Sequence, residues 1–180
     1  MTERPATYCP DCGTVLAQRS FEGRERQYCP DCERFIWQNA KPCVGVVVRD
    51  RNKALLIKRA IPPDVGAWAS PGGALEPDEP PALGAARELR EETNLEVDPA
   101  ALTLLDTRHS SLNEKYVLSI GYVVDYSHTD GDVAAASEVS DARFFTLPEA
   151  QEIRDQMRDY TRVVNSFEHW KKGNQTVVLG

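Results

Sequence analysis

Three carboxylates, Glu88, Glu91 and Glu92, stand at i, i+3 and i+4 in the stretch Arg87-Glu88-Leu89-Arg90-Glu91-Glu92. On a helix at ~100° per residue they fall within an arc of roughly 100°, one above another. Carboxylates that close repel one another unless a cation lies among them, and a row of hard oxygen ligands suits Mg²⁺ or Mn²⁺. The plainer reading of such a string is a solvated helix face with i, i+4 ion pairs, such as Arg87 with Glu91. A second set of reactive groups lies near the start of the chain. Cys9-Pro10-Asp11-Cys12 and Cys29-Pro30-Asp31-Cys32 are two copies of one tetrapeptide, sixteen residues apart. Two C-x2-C knuckles at that spacing suit a four-thiolate zinc site. A segment of about 35 residues buries little core, so the metal would supply its folding energy. Disulfide and redox readings fit less well, because no export signal precedes the pairs and no βαβ pattern surrounds them.

These groups need elements to hold them. For the glutamates, Pro80 suits the first helical position, Asp78 or Glu79 can cap, and Asn94 stands where a left-handed C-terminal residue is expected. Ala82, Ala86 and Leu89 form an apolar side, flanked by Leu83, that can pack on a core while the acids face a ligand. Around this helix, Cys43 to Val48 is a β-branched run consistent with a buried strand, and Lys53 to Arg59 is a second. Ile61 to Gly66 is a loop able to border a substrate. Leu102 to Thr107 and Tyr116 to Tyr126 alternate as strands, Ser127 to Ser137 is polar loop, Ala142 to Phe145 is a short strand, and Pro148 begins a helix. Ala150, Ile153, Met157, Tyr160, Val164 and Phe167 recur in steps of three and four, which predicts one continuous stripe packed on the sheet or, alternatively, a dimer contact. Thr176 to Leu179 suits an added strand.

The neighbourhood of the glutamates resembles a known family. From Gly73, five residues lead to Glu79, and seven more lead to Arg87-Glu88-Leu89-Arg90-Glu91-Glu92. This resembles the Nudix box, the signature of hydrolases that act on nucleoside diphosphates linked to another group. The family's glycine near the end of the box is Asn94 here, the next-best residue for that backbone geometry. Leu55 to Arg59 and Gly66 to Pro71 look like the strand and loop that enter the box. The two knuckles followed by Asn39-Ala40-Lys41-Pro42 look like a Nudix subgroup with an N-terminal zinc ribbon. The resemblance implies an α/β (α+β) fold, the Nudix-type α/β/α sandwich with a mixed sheet. The chain then divides into residues 1–38 as zinc ribbon and 39–180 as hydrolase domain with a C-terminal helix.

The resemblance also implies roles. Glu88 and Glu92 would be direct Mg²⁺ or Mn²⁺ ligands, Glu91 would share an ion or bind a metal-bound water, and the Gly73 carbonyl would add a ligand. Arg87 and Glu79 would hold the box in register through a charge-assisted hydrogen bond. The base that removes the water's proton would be a box glutamate or Glu138, for which a solvated loop acid is the plain alternative. Arg59, Trp68 and Tyr116 are candidate substrate contacts, although either aromatic ring could be packing. His109 reads as exposed. The S-Q-P-W stretch of NADH diphosphatases is missing, and Asp106 to Ser111 occupies that region. ADP-ribose, NADH or FAD-type compounds are the first expectation for the substrate. The alternatives are nucleoside triphosphate clean-up, or a sensor that binds nucleotides without cutting them. Against a sensor, Glu79, Arg87, Glu88, Glu91 and Glu92 are all present.

The 180 residues allow one ordinary domain and an appendage, with a net charge of −7. That charge argues against a general nucleic-acid coat, and over residues 1 to 42 six Lys and Arg balance six Asp and Glu. No run approaches the ~18 apolar residues of a membrane span. The chain reads as cytoplasmic, with a small nucleotide as its partner.

Overall fold

The computed structural model describes residues 6–112 and 115–171. They form two compact units: the described residues to Lys41 together with 110–117, and those of 42–109 with 118 onward. The expected division at residue 38 is linear, whereas the first unit takes in a segment distant in sequence.

In the first unit, β1 (Ala17–Phe21), β2 (Arg24–Cys29) and β3 (Arg34–Ile36) pair antiparallel in the order β1-β2-β3. Glu22 and Gly23 join β1 to β2 with φ of 50° and 73°, the left-handed pair that a tight hairpin turn requires. Glu33, after the second knuckle, also adopts a positive φ of 50°.

The second unit is built on a seven-stranded sheet. Its strands are β4 (Lys41–Asp50), β5 (Lys53–Arg59), β6 (Trp68–Ala69), β7 (Gly72–Ala74), β9 (Thr103–Leu112), β10 (Lys115–Asp125) and β12 (Val139–Thr146). The order is β12-β5-β4-β10-β9, with β6 on β5 and β7 on β4. Two short strands, β8 (Glu96–Val97) and β11 (Thr129–Asp130), pair apart from it.

Strand periodicity divides the core between two faces. Val46, Val48 and Leu55 pack on one side with Leu89 and Leu95, which belong to α1 (Pro81–Thr93) and the residues after it. Val47, Ala54 and Leu56 pack on the other with Ala150, Val163 and Phe167. Those come from α2 (Leu147–Glu152) and α3 (Tyr160–Lys171). The sheet thus lies between helices, the expected α/β/α sandwich. Among the described residues, no helix is long and apolar enough to cross a membrane.

Several local expectations shift. Helix α1 starts one residue late: Pro81 takes the first turn and Pro80 the cap position, without a side-chain cap bond. Glu79 is committed elsewhere, as described below. The buried side of α1 is Ala85, Leu89, Glu92 and Thr93, and Leu83 is 49% exposed. A hydrogen bond from the Gly72 N–H to the Glu92 carboxylate (2.7 Å) fixes this rotation by drawing Glu92 inward. Asn94 does take the left-handed cap, φ 61°, with its N–H on the Arg90 carbonyl (3.0 Å). β4 opens at Lys41, and Cys43 is half-buried. Asp106 to Ser111 is strand, part of β9, and His109 on it is exposed. Ser127 to Ser137 holds β11 and part of a 3₁₀ turn.

The stripe over 150–170 is broken. α2 begins in a capping box between Thr146 and Glu149 and stops at Glu152. A 3₁₀ turn follows, and Met157 then bridges Trp68 in parallel while the Arg158 N–H bonds the Trp68 carbonyl (3.0 Å). That extended step offsets the helical phase, so Val163, not Val164, is fully buried. Packing on the sheet is the outcome for the stripe's buried members. Thr176 to Leu179 lies outside the described residues.

Candidate active site and metal centres

The strand pair β4·β7 and helix α1 bring the glutamates and glycines together. Gly72 faces Gly45 across the pair, and a Cβ on it would stand 2.3 Å from the Val44 carbonyl oxygen, so no side chain fits. A Cβ on Gly73 would lie 2.6 Å from both carboxylate oxygens of Glu88, so Glu88 sits directly on the Gly73 backbone. The Gly72 N–H holds Glu92 from the same strand. Short backbone here is what lets a helix deliver two carboxylates onto a strand.

Arg87 fastens the opposite edge. Its Nε donates to Glu79 Oε2 (3.0 Å) and Nη2 to Glu79 Oε1 (2.6 Å), a bidentate pair. The remaining donors reach the Ala74 carbonyl (3.1 Å), Glu88 Oε1 (2.9 Å) and Glu91 Oε2 (3.2 Å). All five guanidinium N–H groups are used. The Arg87 hydrogen bonds hold the Glu79 carboxyl below the usual carboxylate range. Arg87→Lys keeps the charge but cannot form the fork. It is expected to cost about 2 kcal/mol in thermal denaturation. An unchanged melting temperature would show that the loop is held by something else.

Glu88, Glu91, Glu92, Ser137 and Glu138 line one cavity of about 160 Å³. At ~30 Å³ per water it has room for about five waters. That suits hydrated divalent ions, and a whole dinucleotide, which needs several hundred Å³, would extend beyond it. Glu138 arrives on β12's lead-in, its carbonyl accepting the Ala60 N–H (2.8 Å) beside the pairing of Arg59 with Val139. Burial pushes the Glu92 carboxyl up to about 7, against the Gly72 hydrogen bond and Arg59, with Glu88 and Glu138 adding repulsion. Burial likewise raises Glu88, opposed by Arg87. Four acids line this space, and a hard divalent cation bound there would offset their repulsion.

A metal ion bound through Glu92 would have to displace its proton below about pH 7. Affinity for Mg²⁺ or Mn²⁺ is therefore expected to fall about tenfold from about pH 8 to about pH 6 by calorimetric titration, with proton release on binding. Equal affinity at both would contradict a role for Glu92 as ligand.

The substrate candidates separate. Arg59 acts electrostatically on Glu92, and its Nε donates to the Pro63 carbonyl (2.9 Å). Trp68 is 3% exposed, its ring 4.8 Å from that of Phe145 in edge-on packing. It is a core residue, so the packing reading holds for it. Tyr116 is exposed and belongs to the first unit.

A buried polar group behind the glycines escaped the sequence reading. Asp159 accepts the Ser70 N–H (3.2 Å) and hydroxyl, two residues before Gly72. Burial raises the Asp159 carboxyl, with the Ser70 bonds opposing. Arg162, 4% exposed, donates to Asp106 Oδ1 (2.9 Å) and to Ser119 Oγ (3.0 Å). Two charges three apart within an apolar helical stripe were the available signal.

In the first unit, the Sγ atoms of Cys9, Cys12, Cys29 and Cys32 all lie within 4.8 Å of one another. Cys9 to Cys32 is 3.9 Å and Cys12 to Cys29 is 3.5 Å. A tetrahedral ion with Zn–S near 2.3 Å needs sulfurs about 3.8 Å apart. The thiols fit zinc and are too far apart for disulfides. The neighbouring Thr14 hydroxyl and amide hold the Cys12 thiol down to about 6, while hydrogen bonds with Cys12 and Cys29 push Cys32 up.

A family model described as NUDIX domain matches residues 40–164. The chain is 31% identical over 131 residues to an ADP-ribose pyrophosphatase of Methanocaldococcus jannaschii, covering 72% of this chain and 73% of that protein. It is 51% identical over 59 residues to a MutT-like protein of Streptomyces ambofaciens, 33% of this chain and 36% of the other. Among solved structures, a NUDIX hydrolase from Nitrosomonas europaea superposes with a TM-score of 0.72 at 28% identity, covering 97% of this chain and 98% of that one.

Proposed function

The chain belongs to the Nudix hydrolase family, and from that premise we propose that it cleaves the diphosphate of a nucleoside diphosphate linked to another moiety, with ADP-ribose as the leading substrate type. The observation that carries this reading is the cavity where Glu88, Glu91, Glu92 and Glu138 converge. The 31% identity to an ADP-ribose pyrophosphatase favours the substrate type. Glu88, Glu91 and Glu92, with the Gly73 backbone, would hold Mg²⁺ or Mn²⁺, and the zinc of the cysteine cluster would be structural.

Bound divalent ions would supply charge for the phosphate oxygens and a water of lowered pKa. The chain's own part is positioning and proton transfer. Arg87 and Glu79 keep α1 against the glycine strand, and Arg59 would meet a phosphate oxygen at the cavity edge. Glu138, reaching the same cavity from the opposite element, would accept the attacking water's proton; the water oxygen would bond to phosphorus as the bridging P–O bond breaks, and the other phosphate would leave with that electron pair and the bridging oxygen.

Glu138→Gln is then expected to lower kcat about 100-fold while leaving metal affinity within a few-fold of the parent. Loss of metal affinity together with kcat would make Glu138 a ligand; unchanged kcat would return the role to a box glutamate. Substrate type is tested by turnover of ADP-ribose, NADH, FAD and nucleoside triphosphates with Mg²⁺ or Mn²⁺. The highest kcat/KM is expected for ADP-ribose. A preference for triphosphates would overturn the substrate proposal.

A further inference from the structure

The charge balance of residues 1 to 42 conceals a segregation that appears once strand register is known. Directly opposed residues of an antiparallel pair project to the same face. The register pairs Arg19 with Arg26, Phe21 with Arg24, Ala17 with Tyr28, and Tyr28 with Phe35. Arg19, Arg24, Arg26, Phe21, Tyr28 and Phe35 therefore share one face of the three-stranded sheet. Trp37, two residues beyond Phe35, joins them, its ring 6.0 Å from that of Phe35. Among the described residues of β1, β2 and β3, no acid lies on this face. Glu25 alternates to the other side, as do Cys29 and Arg34.

The arginines on this face differ from their neighbour on the other. Arg34 pairs with Asp11 at 2.8 Å. Among the described residues, Arg19, Arg24 and Arg26 form no ion pair. Two of them lie on rings instead: the Arg19 guanidinium is 4.7 Å from the Tyr28 ring centre and that of Arg26 is 4.6 Å from Trp37. The rings form a run, Phe21–Phe35 at 4.8 Å and Tyr28–Phe35 at 5.2 Å. Its outer members are open, Phe21 at 39% and Trp37 at 51% exposure.

We propose that this face binds single-stranded nucleic acid, with bases stacking on Phe21 and Trp37 and the arginines meeting phosphates. Base stacking on aromatic rings and unpaired cations along one surface are the two requirements of sequence-tolerant single-strand binding. A guanidinium lying on a ring turns its N–H edge outward in a fixed plane, which suits a phosphate. An acidic peptide would use the cations but not the exposed rings. A second copy would set arginines against arginines. The site lies in the first unit and depends neither on the carboxylate cavity nor on hydrolysis.

The test is fluorescence anisotropy of a labelled oligouridylate of about 12 nucleotides, within the site size of a small stacking platform, with the zinc-loaded full chain. Saturable binding is expected, with log Kd changing by about two per decade of salt for three phosphate contacts. Arg24→Gln is expected to reduce that slope by about 0.7, and Trp37→Ala to weaken binding about tenfold. Both should keep their zinc content. The proposal is overturned by absence of binding at about 100 μM chain in low salt, by equal binding of the matching RNA duplex or of an oligoglutamate, or by variants that bind as the parent does. It is overturned too if light scattering shows a dimer that Trp37→Ala dissociates, since a second copy would then occupy the face.

Discussion

Glu92→Gln is expected to reduce turnover by about three orders of magnitude and, in the metal-free protein near pH 8, to raise stability. The loss follows from the several kcal/mol that a correctly held metal contributes to phosphoryl transition states. The gain follows from burial. Glu92 is 7% exposed, and its carboxyl is pushed up to about 7. A carboxyl whose folded pKa lies above its unfolded value favours the fold while protonated. That contribution is complete below the ordinary carboxylate range near 4.5 and is lost as pH rises through 7. The amide carries no charge and can still accept the Gly72 N–H. Stabilisation of up to about 3 kcal/mol is expected near pH 8, fading to none near pH 4.5. Denaturation of both proteins in chelator, at the two pH values, checks it. A variant that is less stable than the parent near pH 8 would mean that Glu92 does more for the fold than for the metal.

Zinc removal is expected to produce the largest structural effect, confined to the first unit. Cys9 and Cys29 are buried, but β1 is exposed along its whole length, so little apolar area holds this unit. The four thiolates should contribute on the order of 10 kcal/mol through the ion. Chelation, or Cys29→Ser, should make residues 6–41 and 110–117 sensitive to protease while 42–109 and 118–171 stay resistant, read by limited proteolysis and mass analysis. The second unit has its own two-faced core and should not need the zinc. Unchanged protection of Tyr8 to Trp37 without zinc would remove the structural role of the cysteines.

The glutamate helix and the cysteine pairs were legible in the sequence because their spacing is the geometry: i, i+3, i+4 puts acids on one side, and C-x2-C makes a knuckle. Asn94 was legible for the same local reason, since few residues accept a left-handed cap. What escaped the sequence depends on distant partners. The inward placing of Glu92 on α1 comes from its hydrogen bond with Gly72, and the break before α3 comes from Met157 and Arg158 pairing with Trp68. The burial of Arg162 and the partial burial of Asp159 need Asp106 and Ser70, which lie over 50 residues away. Trp68 looked like a base-stacking candidate until Phe145 was found beside it. The aromatic and cationic face of the ribbon was hidden because residue totals average over two sides of a sheet that only register separates.

Hydrolysis in ¹⁸O-labelled water tests the central claim most directly. With ADP-ribose, NADH, FAD or a nucleoside triphosphate and Mg²⁺ or Mn²⁺, water attack at phosphorus predicts one ¹⁸O in a phosphate group of a product, no product after chelation, and about a thousandth of the parent's rate with Glu92→Gln. Label appearing on the sugar carbon, turnover at the parent's rate after chelation or with Glu92→Gln, or no cleavage of any of these compounds would contradict it.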